Sequence, residues 1–151
     1  MHKLLTAVAL FAFAGTLLAQ SPLTGTWKLD SAQSKYTTGS PPKDVTLVIE
    51  EQGSNFAVTG NGTNADGSPL AVKYTLPVKG GMGKMEGGPY DSISVKYISA
   101  NERVNTYKKG GKVVATRHLV VSKDGKTMTT NVKGVSATGQ AVDGKDVFVK
   151  Q

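Results

Sequence analysis

A stretch rich in glycine and lysine, KGGMGKMEGGPYD at residues 79–91, is the first candidate for chemistry, because glycine loops beside a lysine can hold phosphate groups. A P-loop needs a hydroxyl residue directly after its Gly-Lys pair, but Met85 stands there. The dinucleotide-binding pattern fails as well, since its third glycine position holds Glu86. Both motifs also need a helix after the loop, whereas the strand-like stretch SISVKYI follows. The sequence therefore argues against a nucleotide site.

Two other interpretations of this segment stay open from the sequence. It is either a mobile connection between two strands or a lid over the mouth of a binding site, since loops of this length are uncommon unless they are functional or disordered. The lid hypothesis depends on a flexible backbone and adaptable apolar side chains. Its candidate residues are Gly81, Met82, Gly83, Met85 and Tyr90.

Residues able to catalyse a reaction are few. The chain has no cysteine, which excludes thiol catalysis and thiolate metal sites. Beyond the first twenty residues His118 is the only histidine, placed on a polar face, and no carboxylate stands at metal-ligand spacing from it. Asp66, Asp124 and Asp143 each precede a glycine, which is typical of turns. We therefore predict a protein that is not an enzyme, with no catalytic residues, metal or cofactor, although a carboxylate pair from distant strands stays open.

The elements that must position any site are strands. Apolar and polar residues alternate with period two along the chain, which predicts an all-β protein. The alternating runs are residues 25–30, 44–50, 55–60, 70–76, 92–98, 103–108, 112–122, 126–134 and 146–150. A sheet with one apolar face must close or fold onto itself. We predict an antiparallel up-and-down β-barrel of about 8–9 strands, with a two-sheet sandwich as the alternative.

Hairpin registers test this prediction, because directly opposed residues share one face of a sheet. Two-residue turns are assumed at Gln52-Gly53, Ala100-Asn101, Gly110-Gly111, Asp124-Gly125 and Thr138-Gly139. A sixth turn, at Asp66-Gly67, mixes the two faces unless GNGTNADG contains a bulge or a longer loop. The predicted inward residues are Trp27, Leu29, Val45, Leu47, Ile49, Phe56, Val58, Val72, Tyr74, Leu76, Ile93, Val95, Tyr97, Val104, Thr106, Val113, Ala115, Leu119, Val121, Met128, Thr130, Val132, Val147 and Val149.

Polar residues of the inward set are the candidates for ligand binding. An arginine that points into an apolar barrel must be paired or stacked, because an isolated buried charge is costly. Arg117 is therefore either a closure contact or an anchor for a ligand carboxylate or other anion, and both alternatives stay open. The candidate ligand-binding residues are Tyr74, Tyr97, Thr106, Arg117 and Thr130.

The stretch GTWKLDSAQSKY, which begins at Gly25, resembles the first strand of lipocalin-like (calycin) barrels, including their avidin-type members. It contains a G-x-W signature ending at Trp27, and SKDGKT near the end of the chain is similar to a hairpin of small exported bacterial proteins of this kind. The resemblance implies that Gly25 and Trp27 form the base of the barrel. It also implies that an arginine of a late strand packs over the tryptophan, and Arg117 matches that position.

The first residues, MHKLLTAVALFAFAGTLLAQ, predict a signal peptide, with a charged start at Lys3, an apolar run and a small residue at Ala19. The apolar run is shorter than the roughly twenty residues that span a bilayer, so we expect no transmembrane segment. We expect a signal peptide at residues 1–19, a single β-barrel domain at residues 20–151, and a secreted or periplasmic location.

The charge and composition bear on the partner. The net charge is +7, but the lysines are scattered and arginine is rare, so solubility explains the charge better than nucleic-acid binding does. We predict a small apolar or amphipathic ligand inside the barrel. The alternative is a non-enzymatic envelope or secreted interaction protein, such as an inhibitor, that works through its loops. A cavity would favour the first hypothesis and a filled interior the second.

Overall fold

The computed structural model describes residues 20–151, and the predicted signal peptide at residues 1–19 lies outside the described part of the chain. All regular secondary structure of residues 20–151 is β-strand. The strands are β1 (Gly25–Leu29), β2 (Lys35–Thr38), β3 (Asp44–Gln52), β4 (Asn55–Thr63), β5 (Pro69–Pro77), β6 (Gly81–Met82), β7 (Lys84–Gly87), β8 (Ser92–Ser99), β9 (Glu102–Lys109), β10 (Lys112–Val121), β11 (Thr127–Val135) and β12 (Ala141–Lys150). Within this range no helix has the length and hydrophobicity needed to cross a membrane.

The strands form one antiparallel sheet that curves into a nearly closed barrel, which confirms the predicted fold class. Their order is β6-β8-β9-β10-β11-β12-β1-β3-β4-β5-β7, and β2 pairs with β12 outside this path. The last strand therefore pairs with the first, as in an up-and-down barrel. The predicted number of strands, about 8–9, is too low. Each predicted run is a strand, and the three short strands β2, β6 and β7 are additional.

The glycine-rich segment forms part of the barrel wall between β5 and β8. Its first part, β6, pairs with β8, and its second part, β7, pairs with β5. Gly83 lies between the two, and its N–H donates to the carbonyl oxygen of Ile93 at 2.8 Å. Backbone hydrogen bonds on both sides thus hold this segment between strands that would otherwise be open edges.

This placement corrects the lid hypothesis for Gly81, Met82, Gly83 and Met85, because the paired segment lies in the wall and not over a mouth. The side chain of Met82 is on the outside, with 60% of its surface exposed. Met85 packs against the core, and of the five lid candidates only Tyr90, which follows β7, lines the cavity. Gly83 serves the close approach of neighbouring backbones, because a Cβ atom there would overlap the carbonyl oxygen of Thr75.

Trp27 is buried in the core, but its cationic neighbour is not the arginine that the resemblance implies. The indole is fully buried, and its N–H donates to the carbonyl oxygen of Leu23 at 3.0 Å. The ammonium group of Lys150, on the last strand, lies 5.1 Å from the ring centroid. A Cβ atom on Gly25 would lie 2.6 Å from Lys150 Cε, so this glycine leaves room for the lysine. Arg117, expected on Trp27, lies elsewhere.

The register predicted around Asp124-Gly125 is confirmed, whereas the turn predicted at Gln52-Gly53 lies one residue later, because Gln52 pairs with Asn55. Across β10 and β11, Leu119 opposes Thr130, as a turn around Asp124-Gly125 predicts. Between β4 and β5, a loop at residues 64–68 is longer than a two-residue turn and sets Val58 opposite Tyr74. That loop gives β4 and β5 a common apolar face. It overlaps GNGTNADG, the stretch in which the sequence requires a bulge or a longer loop.

Two bulges exchange the faces of β9 relative to the prediction. Ile98 of β8 and Val114 of β10 have no partner in β9, and the pairing shifts by one residue at each of them. Because side chains alternate along a strand, a one-residue shift turns the opposite set of side chains inward. β9 therefore buries Arg103, Asn105 and Tyr107, while Val104 and Thr106, which were predicted to face inward, lie on the other face. The bulge at Val114 also leaves Val113 on the outside.

The connection between β11 and β12 has a similar effect. Its loop spans residues 136–140 instead of two residues, so Met128 opposes Phe148 and Thr130 opposes Asp146. The odd length of the loop exchanges the faces of β12. Phe148 and Asp146 are therefore inward, in place of the predicted Val147 and Val149.

Candidate functional site

The interior of the barrel contains a cavity of about 380 Å³. Its apolar wall comes mainly from strands β3, β5, β10 and β12, and its polar groups come mainly from β9, β10, β11 and β12. Loop residues at 42, 64, 68, 88–90 and 137–138 also line it. The strand residues that line the cavity are Val45, Leu47, Pro69, Leu70, Ala71, Val72, Tyr74, Asn105, Tyr107, Arg117, Leu119, Thr130, Asp146 and Phe148. The cavity therefore combines an apolar surface with a few polar groups.

The structure brings three of the predicted ligand-binding residues together in this cavity: Tyr74, Arg117 and Thr130. Tyr97 is only partly buried and does not line the cavity, although its hydroxyl is buried. Thr106 is a correction, because the exchanged faces of β9 place it on the outside.

Arg117 is held at the cavity by an ion pair. Its guanidinium lies 3.7 Å from the carboxylate of Asp146 and 5.8 Å from the ring centroid of Tyr107. Asp146 is buried and also accepts a hydrogen bond of 3.1 Å from the Tyr36 hydroxyl. Of the two roles considered for this arginine, a structural contact is present, but with Asp146 and Tyr107 in place of Trp27. Gly144 leaves room for the Tyr36 ring, since a Cβ there would overlap it.

Burial raises the pKa of Asp146 above its ordinary value, and the charge of Arg117 and the hydrogen bond from Tyr36 oppose this only in part. The folded protein therefore holds the proton of Asp146 more tightly than the unfolded chain does. As pH rises from about 3.8 through the raised pKa, folding loses stability from this group.

We expect Asp146→Asn to remove that dependence. The unfolding free energy of the wild type minus that of the variant should fall as pH rises through this window and become constant above it. Urea unfolding of both proteins at a series of pH values measures the difference. Exposed carboxyls such as Asp30 and Asp124, whose pKa values are lowered by hydrogen bonds, contribute equally to both proteins and cancel. A difference that rises with pH would contradict the account, because it would mean that Arg117 outweighs burial.

Three tyrosines surround the polar side of the cavity as uncharged hydroxyls. The hydroxyls of Tyr74 and Tyr107 are 3.5 Å apart and their rings meet edge to face, with centroids 6.3 Å apart. Tyr90 packs on Tyr107 with ring centroids 4.8 Å apart, and its hydroxyl donates to the carbonyl oxygen of Val135 at 3.1 Å. Burial raises the pKa of Tyr74 well above its ordinary value, so this hydroxyl stays protonated. These groups can donate hydrogen bonds without adding charge.

Several buried polar groups lack partners among residues 20–151. Arg103 and Asn105 are fully buried, and neither the three guanidinium nitrogens nor the amide atoms have a hydrogen-bond partner there. The same holds for the hydroxyls of Thr130 and Tyr97. Buried polar groups are nearly always bonded in proteins, and leaving one unpaired is costly. Of these residues, Asn105 and Thr130 line the cavity, which marks this side of the interior as a place for a polar group.

The sequence interpretation missed Arg103, Asn105, Tyr107, Asp146 and Phe148. A polar residue in an alternating run is ordinarily assigned to the solvent side, and this assignment placed the β9 residues outside. The inward positions of β9 do carry large side chains in an R-x-N-x-Y pattern, but nothing local shows which of the two faces is buried. Only the bulges in the neighbouring strands decide it.

His118 lies outside this site, as expected of a surface histidine. Its Nε2 is 2.6 Å from the Glu102 carboxylate, and both side chains are partly exposed. In the part of the chain that the structure describes, no group of three or more histidine, aspartate or glutamate side chains is placed to hold a metal ion.

The fold and its cavity define an antiparallel β-barrel with a partly polar interior, a class consistent with a calycin-like fold. No known family model matches the chain, and a search of curated proteins finds no significant match.

Proposed function

We propose that this protein is an exported, lipocalin-like barrel that binds a small apolar or amphipathic molecule in its interior and does not catalyse a reaction. The observation that carries the proposal is the cavity of about 380 Å³ inside the barrel. Export rests on the signal-peptide pattern of residues 1–19, which ends at Ala19.

The size and lining of the cavity favour this function. Small barrels fill their interior with side chains, whereas binding barrels enclose space. At roughly 30 Å³ for each water-sized group, this space holds about a dozen heavy atoms. Apolar residues such as Val45, Leu70 and Phe148 surround it, and its few polar groups come from the β9–β12 side. An apolar pocket with a few placed polar groups is typical of small-molecule sites.

The alternative function, an interaction protein that works through its loops, predicts a filled interior. The cavity favours ligand binding over that alternative, since a loop-based protein gains nothing from interior space that weakens its core.

Native mass spectrometry tests the proposal on the wild type and two variants, each purified from the same source. Val72→Trp adds a large side chain to the wall of the cavity. Lys73→Trp is the matched control, because the neighbouring side chain on β5 is 62% exposed and points away from the cavity. We expect a small-molecule adduct on the wild type and on Lys73→Trp, and none on Val72→Trp.

Thermal unfolding of the variants must accompany the mass measurement, so that loss of the adduct is not confused with loss of the fold. An adduct that persists on a folded Val72→Trp protein would place the ligand outside the barrel. If repeated preparations of the wild type show only the mass of the polypeptide, with no adduct, the result would favour the loop-based alternative.

A further inference from the structure

The charges beside the cavity do not balance. Two guanidinium groups, those of Arg103 and Arg117, and one carboxylate, that of Asp146, lie in or next to the interior. Arg117 is paired with Asp146, and Asp146 is further bonded by Tyr36. Arg103 has no acidic partner among the described residues, although it is fully buried. One positive charge therefore remains inside the barrel, and such a charge is costly unless an anion compensates it.

The strand registers place Arg103 beside the cavity. Arg103 opposes Leu119 across β9 and β10, and Leu119 opposes Thr130 across β10 and β11. Neighbouring strands are about 4.8 Å apart, so these residues form one row on the inner face of the sheet. Both Leu119 and Thr130 line the cavity, as does Asn105, which is two residues after Arg103 on the same face of β9. Arg103 thus belongs to the same row of the inner face, next to residues of the lining, although it is not itself one of the residues that line the cavity.

The unpartnered groups nearest Arg103 in the sheet can all donate a hydrogen bond, and their oxygen atoms can also accept one, but none of them carries a negative charge. The amide of Asn105 and the hydroxyls of Thr130 and Tyr97 have no partner among residues 20–151. Tyr97 opposes Arg103 across β8 and β9, and burial raises the pKa of its hydroxyl, an effect that the charge of Arg103 opposes only in part. An ionised carboxylate accepts such bonds and carries the compensating charge, and these charge-assisted bonds are the strong ones.

Other head groups fit less well. An ammonium group would lie close to Arg103, and the one buried carboxylate of the cavity, Asp146, is already bonded to Arg117 and Tyr36. A hydroxyl head group would satisfy a donor or an acceptor but would leave the charge of Arg103 uncompensated.

We infer that the ligand is an amphipathic carboxylate. Its apolar tail occupies the β5 side of the cavity, and its head group lies beside Asn105 and Thr130, where the negative charge compensates that of Arg103. This inference rests on the proposed function and names its ligand class. Anion binding was one of the two roles considered for Arg117, and the inference assigns it to Arg103 instead.

Three probes with one tail and different head groups test the inference: decanoate, decanol and decylamine. Their length matches a cavity for about a dozen heavy atoms. Binding to the purified, ligand-extracted protein is measured by calorimetry at a pH where the carboxylate is ionised. We expect decanoate to bind about 10- to 100-fold more tightly than decanol, because a hydrogen bond to a charged group contributes about 1.5–3 kcal/mol. Decylamine should bind most weakly.

Two variants of the arginine identify its role. Arg103→Met removes the charge and keeps the length of the side chain, so the preference for decanoate over decanol should disappear while decanol affinity stays the same. The melting temperature of the ligand-extracted variant should rise, because an uncompensated buried charge is gone. Arg103→Lys keeps the charge and should retain most of the preference. An arginine with a purely structural role would instead lower the melting temperature on conversion to methionine and leave the head-group preference unchanged.

The outcomes separate the inference from the proposed function. Equal binding of decanoate and decanol would overturn the inference and leave interior binding intact. Tightest binding of decylamine would overturn it as well and assign the head-group site to Asp146. Failure of all three probes to bind would contradict the proposed function and the inference with it.

Discussion

Replacing Trp27 by alanine is expected to lower the free energy of unfolding by about 3–5 kcal/mol. The indole is fully buried on β1, between β12 and β3, so its removal leaves a large cavity in the core. The substitution also removes the hydrogen bond from the indole N–H to Leu23. Urea unfolding followed by circular dichroism measures the change.

The control for this prediction is Lys150→Met, which removes the cation over the indole and keeps the apolar stem that packs on it. We expect a loss of no more than about 1 kcal/mol, since a cation–π contact at a partly exposed site contributes about that amount. If Trp27→Ala and Lys150→Met lower the free energy of unfolding by the same amount, burial of the indole does not make the large contribution to stability expected here.

Gly83→Ala is expected to destabilise the protein by about 1–3 kcal/mol or more, because it forces β5 and β8 apart. A Cβ atom on Gly83 would overlap the carbonyl oxygen of Thr75 and lie 2.8 Å from Leu76 Cδ2 and 3.0 Å from Ile93 Cγ2. Backbone cannot move aside as the end of a flexible side chain does. The barrel should therefore open where β6 and β7 close it.

A glycine of the same segment provides the control for Gly83→Ala. A Cβ on Gly87 would meet no atom within 4 Å, and Gly87 has no left-handed backbone conformation. Gly87→Ala should therefore change the unfolding free energy by no more than about 0.5 kcal/mol. Hydrogen exchange should show loss of protection at the amide of Gly83 and in β8 for Gly83→Ala alone. Equal effects of the two substitutions would mean that the segment is not packed in the wall.

Local pattern predicts much of this fold. Alternation with period two identifies every long strand, because it depends only on which side chains a half-buried strand turns inward. Trp27, Val95 and Val121 are buried as the pattern predicts. The register around Asp124-Gly125 is also predicted correctly, since turn chemistry is local.

Features that depend on a partner strand are not predictable in this way. The bulges at Ile98 and Val114 arise from how three strands fit together, and neither residue is a glycine, the type that often marks a bulge. The glycine segment lacks alternating side chains because close backbone approach, as at Gly83, determines its position. The strands β6 and β7 are not predicted from the sequence for the same reason.

The errors coincide with the candidate site. Arg103, Asn105 and Asp146 are the polar residues that the exchanged faces of β9 and β12 turn inward. A rule that places apolar residues inside assigns these positions to the surface, and buried polar groups at a binding site violate that rule. Thr130 and Arg117 were assigned correctly because β10 and β11 keep the predicted register.

The most direct test of the account is the mass of the native protein isolated from its own source under gentle conditions. The account predicts one adduct per chain, released by organic solvent, with an acidic group that a negative-ion spectrum detects and with about a dozen heavy atoms or slightly more. A protein that repeatedly shows only the mass of its polypeptide, and that takes up none of the ten-carbon probes, would contradict the claim that the interior of this barrel is a binding site.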